Sequence, residues 1–213
     1  MIVKEVMSKN PVTIGPATKL RVLNELMKAN DVRHVPVVKN GKMIGIVTEK
    51  DIRYAMIPEK IPGKKVPQGW NLDHLKVQDI MTDNTITIAQ EAQVEEAARI
   101  IYGLKIHALP VMKNDKLVGI ISVMDILGIF IEMMGMLKSS SRIDVLMKES
   151  QANFDKVSKI IYKNNGQIIG VGITPYQKDK KKSIYFFRLE SCNVKPIAKD
   201  IKKEGFVVTS TIV

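Results

Sequence analysis

Gly45-Ile46-Val47-Thr48-Glu49-Lys50-Asp51-Ile52 decides the reading of this chain, because it returns as Gly119-Ile120-Ile121-Ser122-Val123-Met124-Asp125-Ile126, 74 residues later. The match extends outward without a gap. Met7 falls on Met81, Thr13-Ile14 on Thr87-Ile88, Pro36-Val37 on Pro110-Val111 and Lys39-Asn40 on Lys113-Asn114. From Lys4 to Arg53, 13 of 50 positions are identical to their counterparts. Many of the others exchange like for like, as Val6 with Ile80, Ile44 with Val118 and Thr48 with Ser122. This is an internal duplication. Such a repeat predicts two units that bury their apolar faces against each other, with a ligand expected in the cleft between them.

Each copy reads as strand, helix, strand, strand, helix. In the first, Val12-Thr13-Ile14 is a short strand, and a helix starting near Thr18 lines Leu20, Leu23, Leu26 and Met27 along one face. Two strands, His34 to Val38 and Met43 to Val47, join through Asn40-Gly41, a strong hairpin signal, and a second helix starts near Thr48. In the second copy Val94, Ala97, Ala98 and Ile101 form the helical stripe. Strands Ala108 to Met112 and Leu117 to Ile121 meet at Asn114-Asp115. Between the copies, Pro58, Pro62 and Pro67 exclude a continuous helix, so Met56 to Lys76 reads as an ordered connector with Trp70 anchored on the core. A mobile lid over a ligand site is the other reading of that segment.

Ser139-Ser140-Ser141 marks a boundary, after which the rhythm changes. A strand at Ile143 to Met147, a helix at Asn153 to Lys163, strands at Ile168 to Ile173 and Ser183 to Leu189, a helix at Pro196 to Lys203 and a strand at Phe206 to Val213 follow. That order is βαββαβ, the split arrangement of a ferredoxin-like sandwich. The expected fold class is therefore α+β, with segments at residues 1–77 (first copy and connector), 78–138 (second copy) and 142–213.

Bulk composition narrows the function classes. Apolar residues make up 45% of the 213 and aromatics 5%, so the core is aliphatic. No early basic-then-apolar segment marks a secretory signal. The longest apolar stretch, Val123 to Leu137, is interrupted by Asp125 and Glu132 and is too short to span a bilayer. The single cysteine, Cys192, excludes an internal disulfide and, in a strand-like context, reads as structural. A cytoplasmic, membrane-free protein is the expectation. The net charge of +11 is concentrated in residues 142–213, with 14 Lys/Arg against 7 Asp/Glu. These are scattered lysines with little aromatic interleaving, a pattern of solvated surface more than of a nucleic-acid site. A nucleic-acid-binding or scaffold role for the basic C-terminal part is the alternative. His34, His74 and His107 show no metal-ligand spacing, and there is no P-loop or Rossmann glycine fingerprint, which argues against an enzyme.

The chemistry sits in the repeated stretch. Its glycine would let a ligand approach the backbone. The hydroxyl of Thr48 or Ser122, with free N–H groups of the following first turn, can hold a phosphate oxygen. Asp51 or Asp125 can accept both hydroxyls of a ribose. The same pattern is also an ordinary capping box, a Ser/Thr followed three residues later by an acid.

With Val6-Met7-Ser8, Ile80-Met81-Thr82, Pro36, Pro110 and the two Gly-x-x-[Ser/Thr]-x-x-Asp stretches in place, each copy resembles a CBS motif. The pair resembles a Bateman module. The C-terminal part is similar to an ACT domain, and the whole order resembles the acetoin utilization protein AcuB family. The resemblance implies a non-catalytic sensor of adenosine nucleotides, AMP or ATP or else S-adenosylmethionine, with no obligatory cofactor. It implies adenine against the backbone at Thr13, Ile14, Arg33, His34, Val35 and Pro36 in one site, and at Thr87, Ile88, His107, Ala108, Leu109 and Pro110 in the other. Ribose would sit on Asp51 and Asp125, with phosphates near Thr48 and Ser122.

The copies differ where charge matters. The first carries Lys50, Arg53, Arg33 and His34 near the phosphate end, and the second has Met124, Leu127 and Ile106, with His107 as its main polar group. The site with Asp51 is expected to bind a phosphorylated ligand more tightly. The ACT-like part lacks a glycine in Lys148 to Asn153 after its first strand, so dimerisation or partner docking is expected there before amino-acid binding. A Met-rich helix around Met124, Met133, Met134 and Met136, first of all core and second an interface, suggests self-association as a homodimer, and the sensor reading that the resemblance implies adds an unidentified regulated protein as partner.

Overall fold

Two left-handed residues in succession close each predicted hairpin: Asn40 and Gly41 at φ 52° and 75°, Asn114 and Asp115 at 46° and 61°. These are turns that match the right-handed twist of the flanking strands. Asp115 adopts the left-handed conformation in the place of a glycine. The computed structural model in which they are seen describes residues 1–57, 71–135 and 139–212. The expectations for Pro58 to Trp70 and for Met136 lie outside the described residues.

The chain divides into two compact units, Met1–Ile126 and Leu127–Val213. In chain order the first contains α1 (Val3–Val6), β1 (Ser8–Lys9), α2 (Leu20–Ala29), β2 (His34–Lys39), β3 (Lys42–Thr48) and α3 (Glu49–Ala55). After the connector come β4 (Ile88–Ala89), α4 (Val94–Leu104), β5 (Ala108–Lys113), β6 (Lys116–Ser122) and α5 (Val123–Met133), the last running across the division. The helical stripes face inward as predicted: Leu20, Leu23 and Met27 are buried on α2, and Val94, Ala97 and Ile101 on α4. The expected opening strand of the first copy reduces to one bridge, Ile14 beside Val37, where the second copy has β4 paired parallel to β5.

The copies exchange their leading segments. Val3 N–H donates to the Ala92 carbonyl and Lys4 N–H to that of Gln90, while Val77 N–H donates to Thr18 and Gln78 N–H to Pro16. Each of these bonds has its counterpart at the 74-residue offset. β1 then pairs antiparallel with β6, and Thr82 makes the matching bridge to Ile46 of β3. The cores follow the same exchange. Leu75 and Val77 are buried with Leu20, Leu23, Val35 and Val47, whereas Val3 and Met7 are buried with Ala97, Leu109 and Ile121. Neither hydrophobic cluster is complete without residues from the other copy's half of the chain.

In the second unit β7 (Ser140–Lys148), α6 (Gln151–Lys163), β8 (Ile168–Pro175), β9 (Lys182–Glu190), α7 (Val194–Lys203) and β10 (Val207–Ile212) form a four-stranded antiparallel sheet in the order β10-β7-β9-β8. This is the predicted βαββαβ connectivity. Ile143, Val145, Phe187, Leu189, Val157, Ile161, Ile197 and Ile201 make its core. Asn165 at φ 59° and Gly205 at φ 84° turn the chain out of α6 and α7. Cys192 lies in the turn after β9, not in a strand, and Ser141 Oγ holds that turn by donating to its carbonyl (2.9 Å) and accepting from its N–H (3.0 Å).

Candidate functional site

The two acidic residues on which the site reading depends are both helix caps. Thr48 is extended (φ −120°, ψ 161°) at the N-cap of α3. Asp51 Oδ2 accepts from its N–H at 2.8 Å and from its hydroxyl at 2.7 Å, and Thr48 Oγ1 accepts in turn from Asp51 N–H at 3.3 Å. Ser122 and Asp125 repeat the arrangement at 2.7, 2.7 and 3.3 Å. One carboxylate oxygen in each copy carries both cap bonds. The carboxyl groups are thereby oriented at a half-buried position rather than left to rotate. Capping and sugar binding are compatible uses of the same group, since a carboxylate has two oxygens.

Free N–H groups in the first turn, expected above, are only partly present. Glu49 N–H donates to the Arg33 carbonyl and Val123 N–H to that of His107, both at 3.0 Å, while the N–H groups of Asp51 and Asp125 are used by the caps. A phosphate at either place is left mainly to side chains.

The glycine role is corrected as well. A Cβ at residue 45 would stand 2.7 Å from the Thr82 carbonyl oxygen and 3.3 Å from Met81 Sδ. At residue 119 it would meet Met7 Sδ, and Ser8 O at 3.0 Å. The glycines make room for the exchanged leading segments, not for a ligand. The prolines do open an edge. Ile14 N–H donates to the Pro36 carbonyl and Val38 N–H to that of Ile14. The next parallel bond toward the N-terminus would need an N–H on Pro36, which proline lacks. Pro110 occupies the same register beside Ile88. Pairing with the opening strand of each copy thus stops short of His34-Val35 and of Ala108-Leu109, the segments where the family resemblance places adenine.

Side chains distinguish the two places. Val35, Pro36, Ala108, Leu109 and Pro110 are buried, as are Ile14 and Ile88, while Thr13, Thr87, Arg33, Lys50 and His107 are exposed. His34 is half-buried and faces His107 across the copies, ring centroids 6.3 Å apart and planes 27° from parallel. Burial, then His107, and more weakly Arg33, hold the His34 pKa below its ordinary value, against Asp51 and Glu49, which act to raise it. The expected cations of the first copy are not unopposed. Glu49 lies 3.8 Å from Arg33 and 3.5 Å from Arg53, and Lys50 sits over the Tyr54 ring at 5.4 Å. Glu49 was legible as the i,i+4 partner of Arg53. The second copy has Val123 in its place.

The second unit carries a pocket of about 180 Å³ at the β7–α6 corner, lined by Leu146, Met147, Lys148, Asn153, Lys182, Gly205, Phe206 and Val207. That is smaller than sites that enclose a drug-sized ligand. The corner needs no glycine, because Ser150 is extended (φ −158°) and its hydroxyl caps α6 through Asn153 N–H. Among the described residues, no cluster of three or more His, Cys, Asp or Glu is placed to hold a metal, and no helix is long and apolar enough to cross a membrane.

Paired units of the same element order, with exchanged leading segments, make one tandem module. The CBS domain model matches residues 3–58 and 77–132, so the chain belongs to the CBS domain family and carries a CBS pair, a Bateman module. It is 33% identical over 136 residues to a CBS domain-containing protein of Dictyostelium discoideum, a match covering 63% of this chain and 94% of that one. The solved CBS domain pair of protein MJ0100, in complex with 5′-methylthioadenosine and S-adenosyl-L-methionine, is 27% identical with a TM-score of 0.52, covering 61% of this chain and 95% of that one. A structure described as an acetoin utilization protein (AcuB) from Vibrio cholerae is 29% identical with a TM-score of 0.53, covering 64% and 94%. Likeness to the inosine-5′-monophosphate dehydrogenase of Thermoplasma acidophilum, at 31% identity, spans only 21% of that enzyme.

Proposed function

We propose that this protein is a non-catalytic regulatory sensor that binds an adenosine ligand between its two CBS motifs. The observation that carries the reading is the pair of oriented carboxylates, Asp51 and Asp125, at equivalent positions of a duplicated fold. A relative at 27% identity that holds two adenosine compounds supports it. In this reading Asp51 and Asp125 grip ribose hydroxyls, the backbone at His34-Val35 and Ala108-Leu109 receives adenine, and Thr48 and Ser122 lie beside any phosphate. The site near Asp51 takes the phosphorylated ligand, since Arg33, Arg53 and Lys50 outnumber Glu49 there. AMP, ATP and S-adenosylmethionine are the candidate ligands.

Binding shifts the populations of the two motifs' relative orientations, and the C-terminal unit, read as ACT-type, passes the change to a partner in the cytoplasm. Energy metabolism or acetoin utilization is the proposed setting. A homodimer is proposed from the exposed apolar side chains of α5, Met124 (70% exposed), Phe130 (55%) and Met133 (71%).

A thermal-shift screen with AMP, ADP, ATP, NAD and S-adenosylmethionine tests the ligand reading. A ligand at 100 times its Kd stabilises by about 2.7 kcal/mol, which raises the midpoint by roughly 5 °C or more in a protein of this size. The absence of any shift with all five would overturn it.

A further inference from the structure

We propose that His34 and His107 form a proton-linked clamp for the anionic end of a phosphorylated adenosine ligand, each CBS motif contributing one imidazole. The proposal rests on the nucleotide-sensing reading above and specifies how charge on the ligand is recognised. His34 begins β2 of the first copy, and His107 immediately precedes β5 of the second. They are not equivalents in the repeat: His107 matches Arg33, and His34 matches Ala108. The two rings meet because they approach from opposite motifs, with centroids 6.3 Å apart. His34 pairs with Thr48 of β3, and the His107 carbonyl accepts from Val123 N–H, so both rings are anchored beside the starts of α3 and α5.

The charged and titratable groups facing His34 are His107 from the other copy, Asp51 and Glu49 from α3, and Arg33 from the residue before β2. Asp51 is committed to its cap, and Glu49 is drawn toward Arg33 and Arg53. Asp51 and Glu49 act to raise the His34 pKa, but burial and His107 outweigh them, so the His34 ring resists carrying charge in the free protein. An incoming phosphate removes that resistance, because an anion beside the His34 ring favours its protonated form. Binding then draws protons from solution. The sign follows: with His34 held below its ordinary pKa in the free protein, affinity rises as pH falls from about 8.5 toward 6.5, above the range in which the phosphate itself titrates, near 6. One proton taken up per ligand corresponds to a limiting tenfold gain per pH unit.

The test is calorimetric titration of the full chain with AMP at pH 7.5 in two buffers of different ionisation enthalpy, alongside uncharged 5′-methylthioadenosine. The clamp predicts uptake of roughly half a proton or more with AMP and near zero with 5′-methylthioadenosine. The His34→Gln and His107→Gln variants should lose most of the uptake, and Asp51→Ala should retain it in whatever binding survives. AMP binding without proton uptake, or uptake unchanged in both histidine variants, overturns the clamp and leaves the sensor reading standing. Failure of AMP to bind at any pH overturns the clamp, and the sensor reading falls with it only if the other four ligands of the thermal-shift screen give no shift either.

Discussion

The two CBS motifs share a backbone device and differ in what surrounds it. Thr48–Asp51 and Ser122–Asp125 make the same three hydrogen bonds to within 0.1 Å. Around the first stand Arg33, Glu49, Lys50 and Arg53, and around the second Val123, Met124 and Leu127. Duplication has preserved the part that orients a carboxylate and released the part that sets charge. The difference teaches where to look for function: the shared features hold the fold and orient the two acids, and the unshared ones are where ligand preference is proposed to be set.

The largest effect expected from the comparison lies in the glycines that admit the exchanged segments. At Gly45 the obstacle is a backbone oxygen at 2.7 Å, whereas at Gly119 the nearest atom is the end of the flexible Met7 side chain. Gly45→Ala should cost about 2–3 kcal/mol and Gly119→Ala about 1 kcal/mol, read from urea unfolding. Equal losses would show that the two crossings are equally rigid and would remove that asymmetry. A smaller effect is expected at Glu49. Its pairs with Arg33 and Arg53 are long and solvated, 3.8 and 3.5 Å, so each contributes about 0.5 kcal/mol or less. Glu49→Gln should tighten AMP binding about threefold at low salt, with little change near physiological ionic strength. A loss of affinity would mean that Glu49 contacts the ligand itself.

Much of this was legible in the residues. Asn40-Gly41 fixed one hairpin by turn chemistry and its repeat fixed the other, while Leu20, Leu23 and Met27 declared the buried face of α2 through their spacing. The C-terminal βαββαβ order followed from alternating apolar strands such as Ser183 to Leu189. The exchange of leading segments did not show. β1 is two exposed residues, Ser8-Lys9, and no local periodicity says which copy such a short strand will join. Gly45 and Gly119 carry the signal, but a missing Cβ does not reveal whether a ligand or another segment occupies its space. The site was legible as a list of residues and not as a charge balance. Arg33, Lys50 and Arg53 stand out as cations in the sequence, and the i,i+4 relation of Glu49 to Arg53 is the one local sign of their partner.

The central claim is that both motifs use their capping acid to hold a sugar, the first with preference for phosphate. Calorimetric titration of AMP into the full chain, the Asp51→Ala variant and the Asp125→Ala variant tests it most directly. Unfolding free energies measured in parallel should fall about equally in the two variants, by roughly 1 kcal/mol for each lost cap. The prediction is that Asp51→Ala weakens AMP binding at least tenfold and Asp125→Ala distinctly less. AMP affinity unchanged in both variants would contradict the claim.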